Sequence, residues 1–339
     1  MRIAIVGAGR QGARHGLSIE QTRQGTVAAV VDPNRARGEC LAAKHGAKYA
    51  RTVDEVLESA TIDVVVIATP VALHQGQTIR CLLAGKHVFC EKPLAMTSQQ
   101  AQNMVNVADS KGLILQCGFI MRHHPGIQMA KSWLDAGLVG KPIYGVAHYA
   151  RSKNFAGTWR ANKDQSGGGN LHDQAIHVLD LFTWFLGGPL DGVCYLSAAT
   201  PQMATLEDNV AGILRSPENA IAAFHVSYTR WSPHFSFEIG GDAGLIRIDG
   251  LGNSDYGTQR ATLILRDDDT LLGTVSDRRS YFDRDEPWKR EWNDFCNAVE
   301  SDHKPLGRGQ DGVEALKLVE KLYFNSSHLT ANSCHHTGE

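Results

Sequence analysis

Within the first 120 residues, short apolar runs alternate with helix-forming stretches, and nothing else in the 339-residue chain restricts its fold so strongly. Ile3-Ala4-Ile5-Val6 ends at Gly7, and Val27 to Val31 ends at Asp32-Pro33. Asp63-Val64-Val65-Val66-Ile67-Ala68, His87 to Cys90 and Leu113 to Cys117 follow. Such β-branched runs, apolar at every position, suit strands buried on both faces. Helices are predicted over about 11–21, 35–45, 73–84 and 98–110, with Thr52 as the N-cap of a segment to Glu58. Strand and helix at this spacing imply βαβ units, hence a parallel sheet covered on both faces.

The pattern changes after residue 120. A helix is predicted from His123 to Leu138 and a strand from Ile143 to Arg151. A polar, glycine-rich loop follows, ending in Ser166-Gly167-Gly168-Gly169-Asn170, and leads into a helix from about Leu171 to Leu186. Strand-like runs recur at 193–198, 209–214, 220–228, 235–240, 245–248 and 261–265. Their short connections imply a mostly antiparallel sheet. Amphipathic helices are expected over about 287–301 and 309–325. The fold class is therefore α/β. A dinucleotide-binding domain (1–120) precedes an α+β domain (121–325), with a flexible tail (326–339). The last helix is a candidate to pack back on the first domain.

Composition narrows the function. A net charge of −2 leaves no nucleic-acid or anionic-membrane footprint. No apolar run approaches the roughly 20 residues that cross a bilayer, and a strand starting at Arg2 leaves no room for a signal peptide. Seven cysteines without paired spacing imply reduced thiols and a cytoplasmic protein. Cys334-His335-His336 lacks a second set of ligands, so no metal site is expected.

Three motifs carry chemistry. Gly7-Ala8-Gly9-Arg10-Gln11-Gly12 follows a strand, opens a helix and has Asp32 about 20 residues on, the context of a dinucleotide fingerprint. Gly7 permits the turn, Gly9 the approach of a pyrophosphate, and Gly12 close helix–strand packing. Asp32 suits a ribose 2′-OH and favours NAD. Arg35, nearby, keeps NADP possible through a 2′-phosphate. Second, Glu91-Lys92-Pro93 ends an apolar strand on the side where α/β sheets bind ligands, and a lysine there is costly to bury. A loop salt bridge is the plainer reading of that motif taken alone. Third, Asp173 and His177 share a helical face behind a glycine run. A carboxylate can orient an imidazole, the imidazole can take a hydroxyl proton, and an ammonium can hold the same oxygen. An isolated pair at this spacing would more simply be a capped helix with a histidine at the core edge.

Together these residues resemble the Gfo/Idh/MocA family of sugar and cyclitol dehydrogenases, over nearly the whole chain. The likeness runs through GAGRQG, Ala68-Thr69-Pro70 with His74, Glu91-Lys92-Pro93, Gly118-Phe119 with Arg122, Trp159-Arg160, the Gly167-Gly168-Gly169 loop and Asp173/His177/Asp180. It implies a Rossmann domain binding NAD. It also implies a lysine, Lys92, that holds the substrate hydroxyl, an acid/base, His177, and its companion, Asp173. The Lys92–Pro93 peptide is often cis in such enzymes. Gly7, Gly9, Arg10, Gln11, Gly12, Asp32, Arg35, Ala68, Thr69, Pro70, His74, Glu91, Lys92, Arg122, Trp159 and Arg160 are the expected cofactor residues. Lys92, Tyr149, Arg151, Arg160, Asn170, Asp173, Gln174 and His177 are the expected substrate residues, with Trp231 and His234 as further pocket candidates. Ala175 stands where the family often has glycine, without implied loss of function. The implied partners are a sugar or cyclitol and further copies of the chain, as a homodimer or homotetramer through the open sheet. An NAD-dependent glycoside hydrolase or a non-catalytic NAD sensor would share this fold.

Overall fold

A computed structural model describes residues 1–57, 61–203, 205–267, 272–301 and 303–333. The chain forms two compact units, Met1–His123 with Asp285–Val313, and His124–Arg284 with Glu314–Glu339.

The first unit is built on six parallel strands: β1 (Arg2–Val6), β2 (Thr26–Val31), β3 (Lys48–Ala50), β4 (Val64–Ile67), β5 (His87–Glu91) and β6 (Leu115–Gly118). Their order is β3-β2-β1-β4-β5-β6, so the winding reverses between β1 and β4. Ligands of doubly wound sheets sit beyond the strand ends at such a reversal. The helices are α1 (Arg10–Thr22), α2 (Arg35–Lys44), α3 (Asp54–Leu57), α4 (His74–Leu83) and α5 (Ser98–Lys111). Covered on both faces, β4 is fully buried, which is why its sequence shows no alternation.

The second unit contains α6 (Pro125–Asp135), β7 (Pro142–Ala150), α7 (Lys163–Ser166) and a π-helical turn, Leu171–Ala175, that runs into α8 (Ile176–Leu186). Then come β8 (Asp191–Ser197), β9 (Asn209–Arg215), β10 (Ile221–Ser227), β11 (His234–Gly241), β12 (Gly244–Asp249), β13 (Gln259–Arg266) and β14 (Gly273–Tyr281). They form one sheet, β14-β13-β12-β11-β7-β10-β9-β8, antiparallel throughout except for β7 with β10. Phe182 and Phe185 of α8 pack on Phe237 with ring centroids 5.0 Å apart, so α8 covers the inner face. Gly145 makes room for it, since a Cβ there would lie 2.7 Å from the Phe182 ring. The opposite face exposes Tyr144, Val146, Val193, Tyr195, Ile213 and Ile221.

Two late helices depart from the expected division. α9 (Glu286–Glu300) belongs to the first unit, because Trp292, Phe295 and Cys296 join the core of Ile3, Ile5, Ile19, Val64 and Phe89. α10 (Gly309–Ser333) begins in the first unit, continues in the second and runs past Asn325, where a tail was expected. Extending an established helix adds a hydrogen bond for each residue ordered, so a packed helix outlasts its apolar pattern. Residues Cys334-His335-His336 lie outside the described residues. The edge strands β3 and β14 were not predicted. β14 is exposed along most of its length and has no buried face to print an alternation.

Candidate functional site

The turn between β1 and α1 is built by glycine at two crowded positions. Gly7 has φ +100°, and a Cβ there would lie 2.5 Å from the Ala68 carbonyl oxygen. A Cβ on Gly12 would meet the Gly7 carbonyl oxygen at 1.9 Å. Gly9 differs: nothing lies within 4 Å of its missing Cβ. It is also the N-cap of α1 and supplies no side-chain cap. An uncapped helix start beside open space is what a pyrophosphate requires. Arg10 is exposed on that first turn.

Asp32 ends β2 with 1% exposure. Its Oδ2 accepts from the Ala8 N–H (2.8 Å) and its Oδ1 from the Asn34 N–H (2.8 Å). The guanidinium forked onto both oxygens is that of Arg37, at 3.0 and 2.9 Å. Arg35, the residue singled out in the sequence, points into solvent and pairs with Glu39. Burial alone would raise the Asp32 pKa, but the Arg37 fork and the two N–H donors outweigh it and hold the carboxyl below its usual range. The signal for Arg37 was helical: Asn34 caps α2, and the third residue after the cap turns back over the strand end.

At the end of β5, Glu91 and Lys92 are buried to different extents. Glu91 is buried and accepts from His15 Nε2 (2.8 Å) and Gln11 Nε2 (3.2 Å) of α1. Burial pushes its carboxyl up, yet the His15 bond and the nearby cationic groups, Lys92 among them, bring it below the ordinary value. Lys92 is half-buried, and the Lys92–Pro93 peptide is cis. His74, 1% exposed, has Nδ1 2.9 Å from the Pro93 carbonyl oxygen and Nε2 2.9 Å from that of Thr69. Ala68, Thr69 and Pro70 are half-buried beyond the end of β4, where Thr69 donates to Gln77. Arg122 is 5% exposed, donates to the Leu306 carbonyl and faces Asp311. Thus Glu91, His74 and Arg122, named as cofactor residues from sequence, direct their polar atoms at protein groups and shape the cradle from within. The side-chain amide of Gln11 does the same.

In the second unit, Asp173 lies on the π turn and His177 on the first turn of α8. Extra residues of π-helix inside a helix concentrate at functional positions. The Glu207 Oε1 holds the turn by accepting from the N–H groups of Gly169 (3.1 Å) and Leu171 (3.0 Å) and from the Tyr323 hydroxyl (2.6 Å). Gly169 must be glycine, since a Cβ would lie 2.3 Å from the Glu207 carbonyl oxygen.

The Asp173 Oδ2 accepts from the Tyr228 hydroxyl at 2.6 Å and lies 3.4 Å from Arg160 Nε. Burial, reinforced by Asp173, pushes the Tyr228 phenol well above its usual pKa, so it stays protonated and donates. Tyr228 was missed from sequence, where it read as the last apolar residue of a strand. Arg160 stacks on Trp159 (4.3 Å) and Phe155 (5.3 Å), and Lys153 lies 4.8 Å over the Tyr228 ring. His177 is 7% exposed, with the Tyr149 ring edge-on at 6.4 Å. Arg151 pairs with Asp255 at 3.0 Å and lies over Tyr256.

Four residues of this unit named as substrate or pocket candidates have settings the sequence did not show. Asn170 is fully buried and donates to the Asp208 carbonyl. Gln174, 2% exposed, accepts from Lys153 Nζ (2.8 Å) and donates to the Tyr149 carbonyl (3.0 Å). The Gln174 amide therefore serves protein groups, whereas the Asn170 amide donates to one and its buried Oδ1 has no partner among the described residues. His234 lies beside His148 on the sheet face opposite Phe235 and Tyr149, because successive strand residues face opposite ways. Trp231 is 90% exposed in the loop between β10 and β11. Among the described residues no cluster of three metal-ligating side chains occurs, and no helix is long and apolar enough to cross a membrane.

Residues 1–119 match the sequence profile "Oxidoreductase family, NAD-binding Rossmann fold", and residues 127–247 match the "GFO/IDH/MocA C-terminal domain". The 1,5-anhydro-D-fructose reductase of Ensifer adhaerens is 28% identical over 296 residues, covering 86% of this chain and 86% of that protein. The scyllo-inositol 2-dehydrogenase (NAD(+)) of Bacillus subtilis (strain 168) is 33% identical over 195 residues, 57% of this chain and 56% of the dehydrogenase. Levoglucosan dehydrogenase in complex with NADH and levoglucosan has the same fold, with a TM-score of 0.89 over 97% of each chain at 20% identity.

Proposed function

The chain belongs to the Gfo/Idh/MocA oxidoreductase family, and on that premise we propose that it oxidises a secondary alcohol of a sugar, cyclitol or sugar derivative, or reduces the matching ketone. The observation that carries this reading is Lys92, held half-buried at the carboxyl end of β5, one strand from the reversal in strand order. The names of the two relatives, an anhydrosugar reductase and a cyclitol dehydrogenase, support the substrate class.

NAD, when bound, accepts the hydride that leaves the carbinol carbon. The residues present fit it: α1 offers uncapped N–H groups at Gly9, and Asp32, just beyond the end of β2, is the carboxylate that would meet the ribose. Arg37, beside Asp32, is the group that would meet a 2′-phosphate, so NADP use rests on it and not on Arg35. Lys92 holds the alcohol oxygen with its ammonium and stabilises negative charge there. His177 takes the hydroxyl proton, and Asp173, anchored by Tyr228 and Arg160, orients the imidazole. Arg151, Arg160 and Tyr149 supply the surrounding contacts.

A panel of sugars and cyclitols, followed by reduced-nicotinamide absorbance with NAD and with NADP, identifies the substrate. Lys92→Ala should abolish turnover while NADH still binds; full activity in that variant would overturn the assignment. Net NADH formation separates a dehydrogenase from a glycoside hydrolase that oxidises and re-reduces its sugar. We further propose a cytoplasmic homodimer or homotetramer. Among the described residues six free cysteines, five of them buried, and the apolar outer face of the eight-stranded sheet support that reading.

A further inference from the structure

We propose that His15 and His74 are positioning residues that hold the Glu91-Lys92-Pro93 turn from its two ends and so aim the Lys92 ammonium. The inference rests on the reading that Lys92 holds the alcohol oxygen.

A lysine side chain carries four rotatable bonds, so it aims well only if its own backbone is held firmly. Both chain neighbours of Lys92 are held. Before it, Glu91 turns into the unit and is fixed by His15 Nε2 at 2.8 Å, with Gln11 adding a second donor at 3.2 Å. After it, the Pro93 carbonyl oxygen faces His74 Nδ1 at 2.9 Å. The two histidines are 2% and 1% exposed.

The supports behind each histidine are independent. The His15 ring is wedged edge-on against Phe89 of β5 (4.8 Å) and Trp288 of α9 (5.5 Å). His74 opens α4, and its ring lies between the Pro93 and Thr69 carbonyl oxygens, 2.9 Å from each; burial favours the neutral imidazole, whose one N–H donates to one of the two carbonyls, so the ring spans the turns after β4 and β5. Gln11 and His15 stand four apart on α1, the helix whose uncapped start suits the pyrophosphate. The helix that would hold the coenzyme is thereby hydrogen-bonded to the residue preceding Lys92.

The test uses His15→Ala, Glu91→Ala, their double variant, His74→Ala, and the conservative His15→Gln and Glu91→Gln. Turnover is counted per coenzyme site titrated by NADH fluorescence, so an unfolded fraction does not enter. A misaimed ammonium should lower kcat per site about tenfold to hundredfold, with the NADH Kd and the substrate KM changed less than about threefold. His15→Ala and Glu91→Ala should not add in the double variant, because they remove the same bond. The glutamine variants should recover most of the loss, and they keep the test open if an alanine variant fails to fold. Unchanged kcat per site, or additive losses at His15 and Glu91, would overturn the brace. Activity retained in Lys92→Ala would instead overturn the reading beneath it.

Discussion

The two units place their chemical groups by different means. In the first, Gly7, Asp32 and Lys92 each stand at or just beyond the carboxyl end of a parallel strand, and the strand order brings those ends together. In the second, Asp173 is held by Tyr228, 55 residues away in sequence. The turn that carries it is held by Glu207 and Tyr323, which are 116 residues apart. A parallel sheet turns a local motif into a position in space. An open antiparallel sheet does not, and single long-range hydrogen bonds do the placing.

The largest test of that contrast is His177→Ala. It should lower kcat by about 10²- to 10⁴-fold with NADH binding unchanged, since general-base catalysis is removed and the coenzyme cradle is untouched. Near-normal kcat would mean that the second unit supplies no base. Next is Tyr228→Phe, which deletes one hydroxyl and leaves the ring packed on Phe155. A hydrogen bond to a carboxylate is worth about 1.5–3 kcal/mol, so about a tenfold loss in kcat is expected. The pH profile of kcat should shift as Asp173 loses a donor. A loss confined to thermal stability would show Tyr228 to be structural only.

The smallest effect concerns two buried acids, one in each unit. Glu207 has three donors on one oxygen, whereas Glu291 of α9 is 2% exposed and its Oε1 has no hydrogen-bond partner among the described residues. Burial, with Glu91 and Asp294 adding to it, pushes the Glu291 pKa well above the usual value. The folded state then keeps a proton that the unfolded chain has released, so stability falls as pH rises above the ordinary carboxyl range. Glu291→Gln should raise Tm at pH 8 by about 1–3 °C, with the gain vanishing near pH 4. Glu207→Ala should lower Tm at either pH, since it leaves two buried N–H groups and a phenol without their acceptor. A gain that persists at pH 4 would mean that Glu291 is not the proton holder.

Much of the site was legible because its motifs are short. The glycine turn between β1 and α1 and the strand ending at Glu91 stand where the residue pattern placed them, and Asp173 and His177 lie near the start of the expected helix, Asp173 on a π turn. The choice of arginine at Asp32 was not, because Arg35 and Arg37 lie two apart on α2 and only the turn of the helix decides which faces the strand end. Asn170 and Gln174 could not be read for a similar reason: whether an amide beside Asp173 and His177 is available depends on the groups buried around it. α9 could not be assigned to the first unit, because an amphipathic face does not say which sheet it will cover.

By itself the sequence determined the strand–helix alternation, the dinucleotide turn and the residue types of the chemistry. Each of these depends on contacts within one or two elements, where period and spacing are enough. Only the tertiary structure decided that Glu91 faces inward to His15, that Arg37 takes Asp32, that Tyr228 holds Asp173, and that the helix carrying Trp292 closes the first unit. Those depend on which groups are buried together, and a buried polar group takes whichever partner the packing brings within reach.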